Sequence, residues 1–317
     1  MLPLTGGVFL GWALGSNDAA NIFGTAVASR IIRYSTAVVL AAAFVLLGAL
    51  VGGTRGLETL SGIAQQSGKT AFIVTFVAAV TVTIMTYMKL PVSTSQAVMG
   101  AIVGMGISKS ISTVDWQSLV KIGACWVGTP LGAALLSIIL YPSVARMMEL
   151  LKLNVITRSY FIRSSLTIAG CYGAYALGAN NVANVTGPFY ATGVFDQFAP
   201  MNPLTAAALI GGGSIALGTL TFSKNVMKTV GSKLVPMDGF SAMIAVLASA
   251  VTVHVYALIG VPVSTSQAIV GGVLGIGLHK GMRTVNRKTL MRILFGWVVT
   301  PVIPGVICLT AGKIFCR

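Results

Sequence analysis

Charge is scarce in this chain, and negative charge scarcest. Only 9% of the 317 residues are charged, with 21 Lys or Arg against 6 Asp or Glu. That excludes an ordinary soluble domain, in which about a quarter of the residues are charged. The four cysteines (Cys125, Cys171, Cys308 and Cys316) show no C-x-x-C spacing, so neither a metal site nor a disulfide framework is indicated. With two histidines, no Cys-His or Ser-His-Asp arrangement can be assembled, which argues against a membrane enzyme with an activated nucleophile. The basic residues are scattered between apolar spans without interleaved aromatics, so nucleic acid is not an expected partner. The N-terminal MLPLTGGVFLGWALG lacks a basic leader and a small-residue cleavage site, and reads as part of a first span.

What is present is apolar sequence. Hydrophobic residues make up 55% of the chain, and its mean hydropathy is +0.89. Stretches long enough to cross ~30 Å of hydrocarbon as helices occur at 36–53, 70–88, 118–140, 203–222, 239–260 and 290–312. They are uniformly apolar instead of alternating, which predicts helices and not barrel strands. The expectation is an all-α, multi-pass protein of the cell membrane with lipid around it.

The chain repeats itself. PVSTSQAVMGAIVGMGI at 91–107 and PVSTSQAIVGGVLGIGL at 262–278 share ten of seventeen positions, and the offset of 171 persists through Trp126/Trp297 and Pro130/Pro301. LGSNDAANIFG at 14–24 and LGANNVANVTG at 177–187 form a second pair, offset by 163. The predicted units are a first membrane repeat at 1–141, a charged cytoplasmic linker at 142–159 and a second repeat at 160–317. Repeats of this kind in a membrane chain point to a transporter fold with its site at the repeat interface near the midplane. Each unit reads as about five helical segments, the first of them (4–32) broken because 29 residues exceed one straight span. An odd number inverts the second copy. With both termini outside, fifteen Lys or Arg fall on inner loops and six on outer ones, as the positive-inside rule requires.

Pro91 and Pro262 cannot continue a helix from the preceding span, so each predicts a break. Ser93 with Gln96, and Ser264 with Gln267, fit the capping box S-x-x-Q, which makes each PVSTSQ a helix N-terminus. Buried at membrane depth, such ends would present free N–H groups and the hydroxyls of Ser93, Thr94, Ser95, Ser264, Thr265 and Ser266 to an oxyanion. Serine and threonine also serve ordinary helix packing in membranes, which is the competing reading. The G-x-x-x-G pairs behind them, Gly100/Gly104 and Gly271/Gly275, are assigned to packing. Asp18 is the acid placed inside an apolar segment, and at that depth it is a functional candidate. Asn17 and Asn21 share a helix face, as do Asn180 and Asn184. Gly15 and Gly178 would permit local unwinding, so that carboxylate, amide oxygens and freed carbonyls could hold a small cation. Hydrogen bonding between helices remains the alternative for Asn21 and Asn184. Asn184-Val-Thr186 matches a glycosylation sequon by chance, and His254 reads as a core histidine.

No Lys or Arg is predicted at the midplane. An anion there would be held by helix ends, hydroxyls, amides and a co-bound cation, which favours symport against an inside-negative potential of ~2.3 kcal/mol per charge per 100 mV. GSNDAAN with GANNVAN, and PVSTSQA twice, resemble the duplicated signatures of the inorganic phosphate transporter (PiT) family, the sodium- or proton-coupled phosphate permeases. The resemblance covers nearly the whole chain. It implies inverted repeats, phosphate as substrate, co-transported Na+ or H+ with no resident cofactor, and a homodimer. It implies phosphate contacts from Ser93, Thr94, Ser95, Ser264, Thr265 and Ser266, with Asp18 and Asn181 beside them. For the cation, Na+ first, it implies Asn17, Asp18, Asn21, Asn180 and Asn184, with Gln96 and Gln267. Two positions depart from the pattern: Asn181 stands where an aspartate is expected, and Gln96 and Gln267 where many members have histidine. Sulfate carriage with proton coupling, and a passive anion pore on the same frame, are the alternative functions.

Overall fold

The computed structural model describes residues 2–88, 92–224, 227, 237–281 and 285–315. Lys89, Pro91, Lys228, Lys233, Arg283, Cys316 and Arg317 therefore lie outside the described residues, and with Pro91 the proline break expected in the first repeat. The first half holds α1 (Leu4–Ala28), α2 (Tyr34–Gly52), the short α3 (Arg55–Ile63), α4 (Gly68–Tyr87), α5 (Thr94–Lys109) and α6 (Trp116–Leu150). The second holds α7 (Val155–Tyr190), α8 (Pro203–Phe222), α9 (Gly239–Leu258), α10 (Thr265–Lys280) and α11 (Arg287–Phe315). Six of these helices are long and apolar enough to span a bilayer, and they coincide with the six apolar stretches of the sequence. Residues 142–150 continue α6 and residues 155–159 open α7, so the connection between the halves is four residues long.

The two central helices run antiparallel. Gly7 near the start of α1 packs on Val185 and Phe189 near the end of α7, and Phe23 near the end of α1 packs on Gly170. Around them the halves exchange partners reciprocally. Gly15 of α1 sits on the backbone of Ile215 in α8, while Gly178 of α7 sits on that of Val45 in α2. Gly100 and Gly104 of α5 lie against the backbone of Pro301 and Gly305 in α11, and Gly271 of α10 lies against that of Pro130 in α6. A Cβ at these glycines would overlap backbone, so the G-x-x-x-G pairs are packing residues.

Helices α4 and α5 form a hairpin that returns to the end it came from. Gly68, at the start of α4, lies beside Pro3 at the N-terminal end of α1, whereas Thr86 near its end bonds Asn17 in the middle of α1. The far end of α5 comes back to this start: Lys109 Nζ donates to the Gln65 carbonyl at 3.0 Å. Helices α9 and α10 do the same from the opposite end. Gly239 lies against Ile31 and Ile162, and Lys280 at the end of α10 pairs with Asp238 at the start of α9 (2.6 Å). The segments read as four separate crossings thus pair into two hairpins whose tips approach each other.

Two expectations about α1 and α7 are corrected. The first segment is not broken: α1 is one continuous helix of 25 residues, roughly 37 Å long, followed by a turn at 29–32. Nor do Gly15 and Gly178 unwind their helices, because close approach to α8 and α2 is what requires their missing Cβ. The carbonyls expected to be freed there remain within helix.

Candidate functional site at the hairpin tips

At each tip an extended serine, Ser93 or Ser264, precedes a helix start. Residues 261–264 are non-helical and buried, with Pro262 among them, so the break predicted at that proline is present. The hydroxyl of Ser93 accepts from the Gln96 backbone N–H at 3.2 Å, and that of Ser264 from Gln267 at 3.2 Å. Both PVSTSQ segments are therefore capped N-termini. Only half of each capping box forms, however, since Gln96 Oε1 and Gln267 Oε1 are buried without a partner. With the serine filling the cap, both glutamine side chains remain uncommitted.

The tips bond to each other. Ser95 Oγ donates to Val263 O (3.0 Å) and Ser266 Oγ to Val92 O (2.7 Å). The central helices supply the rest. Asp18 accepts from Thr265 of the second hairpin (2.9 Å) and from Asn21 (3.2 Å), whose amide also donates to Ser266 Oγ (3.0 Å); Ser266 Oγ, its hydrogen given to Val92 O, lies 3.3 Å from the carboxylate. On the other side Asn184 donates to Ser95 Oγ at 2.8 Å and to Asn181 Oδ1 at 2.9 Å. The halves differ where Asn181 replaces a carboxylate. Its amide turns to Leu177 O (3.2 Å), and the Thr94 hydroxyl, counterpart of Thr265, is buried without a partner.

The described residues singled out in the two motifs are all buried, and Asp18 is the one charged side chain buried among the described residues. Unpartnered acceptors converge on the same elements: Asn17 Oδ1, Asn184 Oδ1, Gln96 Oε1 and Gln267 Oε1. A buried polar atom left unpaired costs roughly 1–3 kcal/mol, so such a set is expected where a ligand completes the bonding. One carboxylate among neutral oxygens suits a small hard cation, and two helix N-termini suit an anion beside it.

Thr86, which bonds Asn17, and the backbone of Val92 and Val263 were not legible as site groups. Threonine in an apolar span resembles any packing threonine, and a carbonyl carries no sequence signal. Asn184 is fully buried, so its sequon cannot be glycosylated. His254 is held by the Tyr172 hydroxyl at 2.8 Å and lies edge-on to Tyr172 and Tyr175, as a core histidine would be.

The chain is similar to known proteins in sequence and in fold. The family model described as the phosphate transporter family matches residues 14–308. A protein of Methanocaldococcus jannaschii described as a "putative phosphate permease" is 31% identical over 94% of this chain and 92% of its own. The sulfate permease CysP of Bacillus subtilis is 29% identical over 93% of this chain and 82% of its own. A solved structure described as the sodium-dependent phosphate transporter superposes with a TM-score of 0.86, covering 100% of this chain and 99% of that one. At 22% identity, that likeness establishes the fold. The chain is a multi-pass membrane protein of the phosphate transporter family, a transporter and not an enzyme.

Proposed function

We propose that this protein imports inorganic phosphate by symport with a cation, sodium in the first place, through alternating access of two inverted repeats. The observation that carries the reading is the meeting of two capped helix N-termini, from opposite ends of the molecule, beside Asp18 and a set of unpartnered oxygens. The N-termini of α5 and α10, with the hydroxyls of Ser93, Thr94, Ser95, Ser264, Thr265 and Ser266, would bind the oxyanion. Asp18, Asn17, Asn21 and Asn184, with Gln96 and Gln267, would bind the cation. With no buried Lys or Arg among the described residues, an anion there depends on that cation for charge balance, and the same dependence couples the two movements.

If each hairpin returns to its own side, α1, α2 and α6 cross the bilayer in the first half, and α7, α8 and α11 in the second. Three is odd, so the copies remain inverted. The basic residues at 146–163, 224 and 287–292 lie on the inner side, with both termini outside. Pairing as a homodimer in the cell membrane belongs to the same reading.

The test is uptake of labelled phosphate by purified protein in liposomes. Accumulation against the phosphate gradient is expected only under an inward sodium gradient. A proton gradient serving instead would reassign the cation, and uptake that merely equilibrates would identify a passive pore. Sulfate is the second reading, favoured by the relatedness to CysP. It predicts that sulfate, and not arsenate, competes best in the same assay.

A further inference from the structure

Asn17 and Asn180 occupy the same place in the two repeats, yet their side chains are used differently. Asn180 is closed on both sides: its Nδ2 donates to Val263 O at 2.7 Å, and its Oδ1 accepts from Val263 N–H at 3.1 Å. This two-bond clasp holds the tip of the second hairpin and engages both arms of the amide. Asn17 makes no such clasp on Val92, the counterpart of Val263. Its Nδ2 donates to Thr86 Oγ1 at 2.7 Å, and its Oδ1 is buried without a partner.

The amide of Asn17 has one orientation for a chemical reason. Thr86 Oγ1 gives its single hydrogen to Val82 O at 2.7 Å, so toward Asn17 it can only accept. Asn17 must therefore present its NH2 to Thr86, which leaves its oxygen on the other arm of the amide. Thr86 is 4% exposed and Asn17 1%, so water does not compete for either group. At the offset of 171, the counterpart of Thr86 is Ala257, which has no acceptor to offer. Nothing there draws the amide of Asn180 away from the tip.

We infer that Thr86 is a positioning residue that turns Asn17 into an oxygen ligand for the transported cation, and that Ala257 leaves its counterpart Asn180 as a clasp on the second hairpin and not a ligand. Two asparagines that the repeat makes equivalent are thus divided by one hydroxyl into a cation contact and a structural tie. The inference rests on the cation-symport reading and assigns its ligand asymmetrically.

The experiment measures phosphate uptake in proteoliposomes as a function of sodium, and sodium-dependent thermal stabilisation of the same purified variants. Thr86→Val removes the acceptor at nearly constant volume, and Thr86→Ala removes it without added bulk. Each is expected to raise the half-saturating sodium concentration about tenfold while phosphate KM at saturating sodium stays within about twofold. Melting without sodium identifies which of the two is folded. Thr86→Ser keeps the acceptor and is expected to restore the wild-type sodium dependence. Asn180→Ala is expected to lower the maximal rate and the sodium-free melting temperature without moving the half-saturating sodium concentration. A folded Thr86→Val or Thr86→Ala protein with wild-type sodium dependence overturns the inference and leaves symport standing, as does an Asn180→Ala shift equal to that of Thr86→Val. Wild-type protein whose uptake ignores sodium removes the symport reading, and the inference with it.

Discussion

Ser95 donates to the carbonyl of Val263 at 3.0 Å, and Ser266, 171 positions further on, makes the counterpart bond to Val92 at 2.7 Å. Each hydroxyl also accepts from an asparagine of a central helix, Asn184 and Asn21 respectively. A serine between a hairpin of the other half and a central helix ties both tips to the core. Ser95→Ala removes one of the two bonds that Val263 O accepts, the other coming from Asn180, and leaves the Asn184 amide bonded to Asn181 alone, at a cost of about 1 kcal/mol per lost bond. Ser95→Ala and Ser266→Ala are each expected to lower the melting temperature in detergent and to weaken phosphate uptake; unchanged melting and KM in both would remove the tie from the account.

Asp18 accepts from Thr265 and Asn21, with Ser266 Oγ beside it at 3.3 Å. Asp18→Asn keeps size and removes the buried negative charge, so it should abolish the sodium dependence of uptake. Full coupled activity in that variant, measured with and without the gradient, would take Asp18 out of the cation site.

Gly100 lies on the backbone of Pro301, leaving no room for a side chain. Overpacking of this kind costs about 1–3 kcal/mol or more where backbone must move. Gly100→Ala and Gly271→Ala should each reduce the yield of folded protein. Gly62→Ala, at a position with nothing within 4 Å of the added carbon, should not, and size-exclusion chromatography distinguishes them.

The open end of the second hairpin is closed by Asp238 and Lys280 at 2.6 Å. Partial burial pushes the Asp238 carboxyl up, but hydrogen bonds from Lys280 and Ser241 outweigh it and hold the group below its ordinary range. A carboxylate depressed in the folded state stabilises above its unfolded pKa, about 4, and that stability is lost as pH falls through the folded value. Asp238→Asn retains an N-cap residue without the charge. Its deficit in melting temperature relative to wild type should be present at pH 7, shrink below pH ~4 and diminish in high salt. A deficit independent of pH would show that the pair contributes nothing through charge.

What could be read along the chain was local. Hydropathy over twenty residues located the six apolar spans because lipid imposes its demand on each segment separately. The proline break at 262 and the serine caps at 93 and 264 depend on neighbours three residues away, and they are present where the letters placed them. The membership of Asp18, the asparagines and both PVSTSQ segments in one buried cluster was also legible, because a duplicated polar motif in an apolar chain has few other uses. Tertiary structure alone decided the remainder. That Gly15 packs on α8 without unwinding α1, and that Gly100 and Gly104 seat α5 on α11, follow from surfaces contributed by the other repeat, while the doubling back of α4 and α5 and the half-made capping boxes are visible only in the folded chain. The separate uses of Asn17 and Asn180 show why: an amide takes whichever partner stands opposite it, and Thr86 and Val263 are 69 and 83 residues away along the chain.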